Sequence, residues 1–298
     1  MNRSLFALTF LSAAVLISAC SDGTKADAAQ PAARKEGSVA PRVAVVSAPA
    51  QPYREISVAS PGRITGTVDF DGAFPADSII HLTTEQADCG RSVVDHRIDH
   101  TGTRVSGVAV WLTDIRQGRA PEVDRRFELT NEDCVMDPRV QTVITGGTLN
   151  VISDDVAMHR DRIIDVATGE IEAIAPFNDN GQVIPFDRLL KKTAELEVTC
   201  ELHPWSKAYV LVFDHPYYAV TGKNGDFTLE GIPAGTYHLR AWHPVLGLVD
   251  QTVTVGAGAA AAVALKLPGE GAPAPTTTAA AQPSAAKPAP AVPTPAPR

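Results

Sequence analysis

The chain has 298 residues, 44% of them apolar and only 6% aromatic, with 22 glycines and 23 prolines. That is material for one or two folded domains with many turns and linkers. A net charge of −8 argues against a nucleic-acid binder, which presents a basic face. No apolar run reaches the roughly 18 residues that a membrane-spanning helix needs, and no P-loop or dinucleotide-binding glycine pattern occurs.

The first expected element is an export signal over residues 1–19. Arg3 precedes an apolar run from Leu5 to Ile17, too short to span a bilayer but suited to a signal-peptide core. The run ends Ile17-Ser18-Ala19-Cys20, which resembles the lipobox of bacterial lipoproteins. The resemblance implies cleavage before Cys20, lipidation of Cys20 and a lipid anchor to a bacterial membrane. Ser21, standing where an Asp retains many such proteins at the inner membrane, favours the outer membrane, with the protein facing the periplasm. Residues 20–57, rich in Ala, Pro and Ser without sustained periodicity, are expected to form a flexible tether. At the other end, residues 268–298 hold 9 of the 23 prolines and read as a disordered Pro/Ala-rich tail.

Between the tails the apolar period is two, which predicts an all-β fold. Ile64, Gly66, Val68 and Phe70 alternate with polar residues, as do Val108, Val110 and Leu112, and Leu196, Val198 and Cys200. Val210 and Val212 lie in another apolar strand, and Val253 and Val255 in a late one. Turn signals separate them at Asp71-Gly72, Gly146-Gly147, Asn224-Gly225 and Pro233-Ala234-Gly235, a pattern of β-sandwiches. Only Phe186 to Leu196 leaves room for a short helix.

The run Thr221-Gly222-Lys223-Asn224-Gly225-Asp226-Phe227-Thr228-Leu229, followed by Ile232-Pro233-Ala234-Gly235-Thr236-Tyr237, resembles the carboxypeptidase-regulatory-like (transthyretin-like) β-sandwich. Residues 63–70 resemble the opening strand of the same module. One sandwich is then assembled from segments 58–124 and 216–267 around an inserted domain; the alternative is two sandwiches in series.

Four cysteines occur, at 20, 89, 134 and 200. With Cys20 assigned to lipid, three remain in a compartment where cysteines pair, so one is odd. Only Cys200 has a histidine at ligand spacing, in Cys200-Glu201-Leu202-His203. Cys89 is therefore paired with Cys134, the alternative being a bridge from either to Cys200.

Upstream, Val140 to Ile152 reads as strand, Gly turn and strand, ending Ser153-Asp154-Asp155, with His159 four residues on. With Cys200-Glu201-Leu202-His203-Pro204-Trp205-Ser206 and Asp214-His215-Pro216-Tyr217, this order resembles a cupredoxin, a Greek-key β-sandwich, over about 125–215. It is most similar to plastocyanin-like exported proteins often labelled as methylamine-utilization proteins. The resemblance implies one type-1-like copper held by His159, Cys200 and His203. Thiolate and two imidazoles in a plane suit both oxidation states of copper. Ser206 stands where the family carries an axial Met, so the fourth position is open to water, Ser206 or a carbonyl, or to nothing. Met158 should face the opposite strand face, and Met136 is a remote candidate. Arg160 stands where relatives often carry Asn.

Other residues have plainer readings. Trp205 packs over the ligand loop, His215 and His243 are hydrogen-bonded structural histidines, and Asp154 and Asp155 either orient His159 or are solvated. His96 and His100 are four apart but in a β context, so they do not share a face. No coherent Ser-His-Asp pattern exists, and the protein is not expected to be an enzyme. The expected function is electron transfer with an unidentified redox partner protein. The alternatives are a non-redox envelope-binding sandwich with a degenerate site, and copper sequestration or delivery.

Overall fold

Period-two alternation builds strands through most of the described residues, and no α-helix occurs among them. The computed structural model describes residues 44–47, 49, 51–84 and 87–269. The export signal, Cys20 and all but the first two residues of the expected tail lie outside that set.

Two β-sandwiches form, one inserted in the sequence of the other. Residues 126–213 supply a four-stranded sheet in the order Val135–Asp137, Arg126–Glu132, Thr148–Ser153, Gln182–Phe186. They also supply a five-stranded sheet in the order Val140–Ile144, Lys207–Phe213, Ala194–Cys200, His159–Asp165, Ile171–Phe177. Two of the pairings are parallel, Arg126–Glu132 with Thr148–Ser153 and Val140–Ile144 with Lys207–Phe213, so the chain crosses between sheets instead of meandering within one. Leu129, Leu149, Val151, Ile163, Leu196 and Val198 fill the space between.

The flanking segments share the other sandwich. One sheet runs Tyr218–Val220, Ala109–Leu112, Gly235–His243, Gly247–Val255. The second runs Asp226–Ile232, Gly62–Asp69, Arg104–Val105, His100–Thr101, with Ala260–Lys266 parallel to Gly62–Asp69. Strands from before and after the inserted sandwich thus pair directly, as in Phe227 opposite Gly66 and Tyr218 opposite Trp111.

Strand Lys207–Phe213 explains why the two sandwiches adhere. It is an almost unbroken apolar run, which suits a strand buried on both faces. Ala208, Val210 and Val212 enter the inserted sandwich's core. Tyr209, Leu211 and Phe213 face the other way, onto Ala109, Trp111 and Trp242 of the flanking sandwich. Trp111 and Phe213 rings lie 5.5 Å apart, as do Tyr209 and Trp242.

Two expectations change. The possible helix from Phe186 to Leu196 is absent: Gln182–Phe186 is a strand paired to Thr148–Ser153, and the chain turns back to enter strand Ala194–Cys200 with Leu190 buried as a plug. The expected tether to residue 57 is docked in its described part. Val46 joins the layer between the sandwiches, the Val45 amide donates to Glu195 Oε2 at 2.7 Å, and Arg54–Glu55 pairs in parallel with Gln117–Gly118. Burial of this apolar pair and satisfaction of its backbone groups outweigh the Ala/Pro/Ser composition around it.

A hairpin, Ser78–His81 with Ser92–Asp95, pairs with neither sandwich. It is joined to the inserted sandwich by a disulfide between Cys89 and Cys134 and by Arg139 Nη1 donating to Asp95 Oδ1 at 2.7 Å. Leu82 and Val93 of this segment pack with Cys134 and Ala157.

Candidate metal centre

His159 opens strand His159–Asp165 and Cys200 closes its antiparallel neighbour Ala194–Cys200. Asp161 and Cys200 are register partners, so the two strand ends meet at one end of the five-stranded sheet. Past Cys200 the chain turns at once. The Ser206 amide donates to the His203 carbonyl at 2.8 Å, and the Cys200 amide to the Ser206 carbonyl at 3.3 Å. This tight loop brings His203 back over the sulfur.

Three donor atoms converge. Cys200 Sγ lies 3.6 Å from His159 Nδ1 and 3.5 Å from His203 Nδ1, and the two Nδ1 atoms are 3.2 Å apart. All three side chains are at most 2% exposed. A point equidistant from the three donors lies about 2.0 Å from each. That matches a metal–imidazole bond of roughly 2.0–2.1 Å and falls a little short of a metal–thiolate bond of about 2.3 Å. The three side chains would therefore accommodate a single ion between their donor atoms. One soft sulfur and two imidazoles favour copper among the first-row metals.

The outer nitrogens of both rings have partners of their own, so each ring turns its Nδ1 toward the Cys200 sulfur. His159 Nε2 donates to Asp155 Oδ2 at 2.8 Å, which fixes the proton on Nε2. Asp155 Oδ2 also accepts from the Cys134 amide at 3.0 Å. His203 Nε2 lies 3.6 Å from Cys89 Sγ, a disulfide sulfur that can only accept. Asp133 and Cys134, both with positive φ (52° and 60°), form the two-residue turn between the paired strands Arg126–Glu132 and Val135–Asp137. That turn aims the Cys134 amide at Asp155.

The sulfur is held from its own side as well. The Arg160 amide donates to Cys200 Sγ at 3.4 Å. Burial pushes the Cys200 thiol up to about 11, and the neighbouring Asp161 carboxylate adds to the rise, so metal binding must displace the proton. Asp161 is itself buried, and burial raises it to about 6 against the hydrogen bond from Asn131 Nδ2 at 2.7 Å. Asn131 and Asp161 carry no motif, but both are polar at inward-facing strand positions, Asn131 two residues after buried Leu129 and Asp161 two before buried Ile163. That break in the apolar alternation was the available signal.

Ser206 is buried, and its Oγ has no hydrogen-bond partner among the described protein atoms. Met158 is 54% exposed, while Met136 is buried in the inserted sandwich's core. Arg160 forms an ion pair with Glu201 at 3.2 Å. Trp205 stacks edge-on to His203, centroids 5.2 Å apart, and its Nε1 donates to the Cys134 carbonyl at 3.0 Å. The remaining histidines stand apart from the centre. His215 Nδ1 accepts from the Tyr217 amide, and His243 Nδ1 from the Val245 and Leu246 amides. His96 meets Asp77 at 2.8 Å, and His100 stacks on Phe74.

The chain matches no protein-family model and no curated protein. Among solved structures it is similar to a purple cupredoxin from Nitrosopumilus maritimus, with 19% identity and a TM-score of 0.26 over 29% of this chain and 99% of that one. It is also similar to a Cu-containing nitrite reductase from Thermus scotoductus SA-01, with 20% identity and a TM-score of 0.26 over 32% of this chain and 23% of that one. A mutant amicyanin with Cu(I) aligns at 16% identity and a TM-score of 0.26, over 31% of this chain and 86% of that one. Each similarity spans less than a third of this chain, and the chemistry rests on the site's own side chains.

Proposed function

We propose that this protein is a type-1-like copper protein of the cupredoxin kind that carries electrons, with the flanking carboxypeptidase-regulatory-like sandwich as its rigid support. One observation carries the reading: Cys200 Sγ, His159 Nδ1 and His203 Nδ1 face one another within 3.6 Å in a buried plane. Bound there, copper would supply a one-electron couple. The protein's part is to keep the three donors still. Asp155 holds one ring, the Cys200–Ser206 turn holds the other, and the Arg160 amide holds the sulfur. Ligands fixed by the sandwich suit both oxidation states and keep rearrangement on electron transfer small. The redox partner is a protein, and lipidation of Cys20 keeps the centre on the periplasmic side of a bacterial membrane, the outer one in preference to the inner. The protein acts as a carrier and not as an enzyme.

The test is the copper content and visible spectrum of the oxidised protein. One copper per chain with an intense thiolate-to-copper band supports the reading; metal-free protein that stays colourless when copper is added overturns it. Copper sequestration or delivery is the second reading, favoured by a serine at the axial position with an unpartnered, buried Oγ. It predicts one copper held as Cu(I) without colour. Cys20→Ala tests the anchor: the variant leaves the membrane fraction or stalls in maturation, and unchanged partitioning contradicts lipidation.

A further inference from the structure

One disulfide touches the outer side of both imidazole ligands. Cys89 Sγ lies 3.6 Å from His203 Nε2, and the Cys134 amide shares Asp155 Oδ2 with His159 Nε2. Trp205, edge-on to His203, donates to the carbonyl of the same Cys134. The Cys134 backbone sits in the left-handed region, which few residues other than glycine adopt unless neighbouring structure holds them there. Of the two cysteines, Cys134 is buried and Cys89 is partly exposed between exposed Asp88 and Gly90, so the bridge is reachable at Cys89. The hairpin flanking Cys89 has no strand pairing to either sandwich, so the bridge is a main tie between it and the centre.

We propose that the Cys89–Cys134 bridge is a redox-addressable support of the metal centre: closed, it fixes both imidazoles, and opened by a dithiol reductant, it loosens them and speeds metal release. This rests on the copper reading above. In the opening step a thiolate of the dithiol attacks Cys89 Sγ and the bond to Cys134 Sγ breaks, leaving Cys134 as the departing thiolate, which takes up a proton. The donor's second thiol then displaces Cys89 from the mixed disulfide. Two electrons and two protons end on Cys89 and Cys134 as thiols, and the donor leaves as its disulfide. His203 Nε2 then faces a thiol in place of a fixed sulfur, and the turn that presents the Cys134 amide to Asp155 loses its covalent tie. Cys89 and Cys134 are positioning residues, not ligands.

The experiment uses the full chain loaded with copper. Ascorbate reduces the copper and leaves the bridge closed; in a second sample a phosphine opens the bridge of the metal-free chain and is removed before Cu(I) is loaded, since a phosphine binds Cu(I) itself. Transfer of Cu(I) to a coloured chelator is timed in both. The bridge-opened protein is expected to release copper at least tenfold faster, and equal rates overturn the proposal. Cys89→Ala/Cys134→Ala should release copper as fast as the phosphine-treated chain, and wild-type rates from a folded double variant count against the proposal. In the metal-free chain, imidazole ¹⁵N spectra should show His203 as a single Nε2–H tautomer with the bridge closed and a mixture in the double variant; identical spectra contradict the support role. A chain that binds no copper in any form overturns the copper reading itself, whereas copper bound with equal release rates overturns only the support.

Discussion

At Asp155 a single carboxylate oxygen accepts from the His159 ring and from the Cys134 amide. Outer partners of metal-bound histidines typically carry 10–100-fold in metal affinity. Asp155→Ala is therefore expected to weaken copper binding by about that factor, and Asp155→Asn, which keeps an acceptor, by less; a Cu(I) competition titration reads both. Ser206 gives the second prediction at this scale. Its Oγ is buried without a partner, and a cavity of about 170 Å³ lined by Ser206, Trp205, Met136 and Lys207 adjoins it, so a longer side chain has room. If copper were held by Cys200, His159 and His203 alone, Ser206→Met would add a thioether donor, stabilise the oxidised form and lower the reduction potential. A rise in potential would mean that an oxygen donor already occupies the fourth position.

At the scale of strands and turns, His215 and His243 are the groups whose titration the fold controls. Each ring accepts backbone N–H groups just past the end of a strand. Burial lowers each to about 3, and nearby Arg116 and Arg139 respectively add to the fall. The unfolded chain takes up these protons near pH 6.5, the folded chain only near 3, so stability is full above 6.5 and is lost as pH falls toward 3. Each histidine should cost about 2 kcal/mol by pH 5. Urea unfolding of His215→Asn and His243→Asn should show a flatter pH dependence than wild type between pH 7 and 5; parallel curves would contradict it. The strands themselves were legible from alternation, as at Leu196, Val198 and Cys200, and the turns from Asn224-Gly225 and Gly146-Gly147, where Gly225 and Gly146 take positive φ. The Phe186–Leu196 segment was ambiguous because a short run with Leu189 and Leu190 fits a helix as well as a plugged turn, and only pairing with Thr148–Ser153 decides. The ligand residue types stood out because Cys200 and His203 are three apart. The outer contact of Cys89 did not, because a contact between residues 114 apart leaves no local pattern, and Asn131 showed only as a polar residue at an inward-facing strand position.

For the whole molecule, the layer between the sandwiches sets the cooperativity. Trp111, Leu211 and Trp242 bury themselves where two sheets meet, and strand Lys207–Phe213 belongs to both the inserted sandwich's core and that layer. Leu211→Ala should cost about 2–5 kcal/mol, as buried Leu→Ala changes do, and should lower the whole unfolding transition without splitting it. Two separate calorimetric transitions would show that the sandwiches unfold independently. The nesting of one sandwich inside the other was open from sequence, since the Asn224-Gly225 hairpin and the 63–70 strand look alike whether the sandwich is split or repeated. Phe227 lies opposite Gly66, so strands from before and after residues 126–213 share one sheet.

If Cys200, His159 and His203 together hold one copper, X-ray absorption at the copper edge of the loaded protein should show one sulfur and two imidazole nitrogens around the metal, with the sulfur lost in Cys200→Ser. A shell of nitrogen and oxygen alone in the wild-type chain, or one unchanged in Cys200→Ser, would place copper elsewhere in the protein.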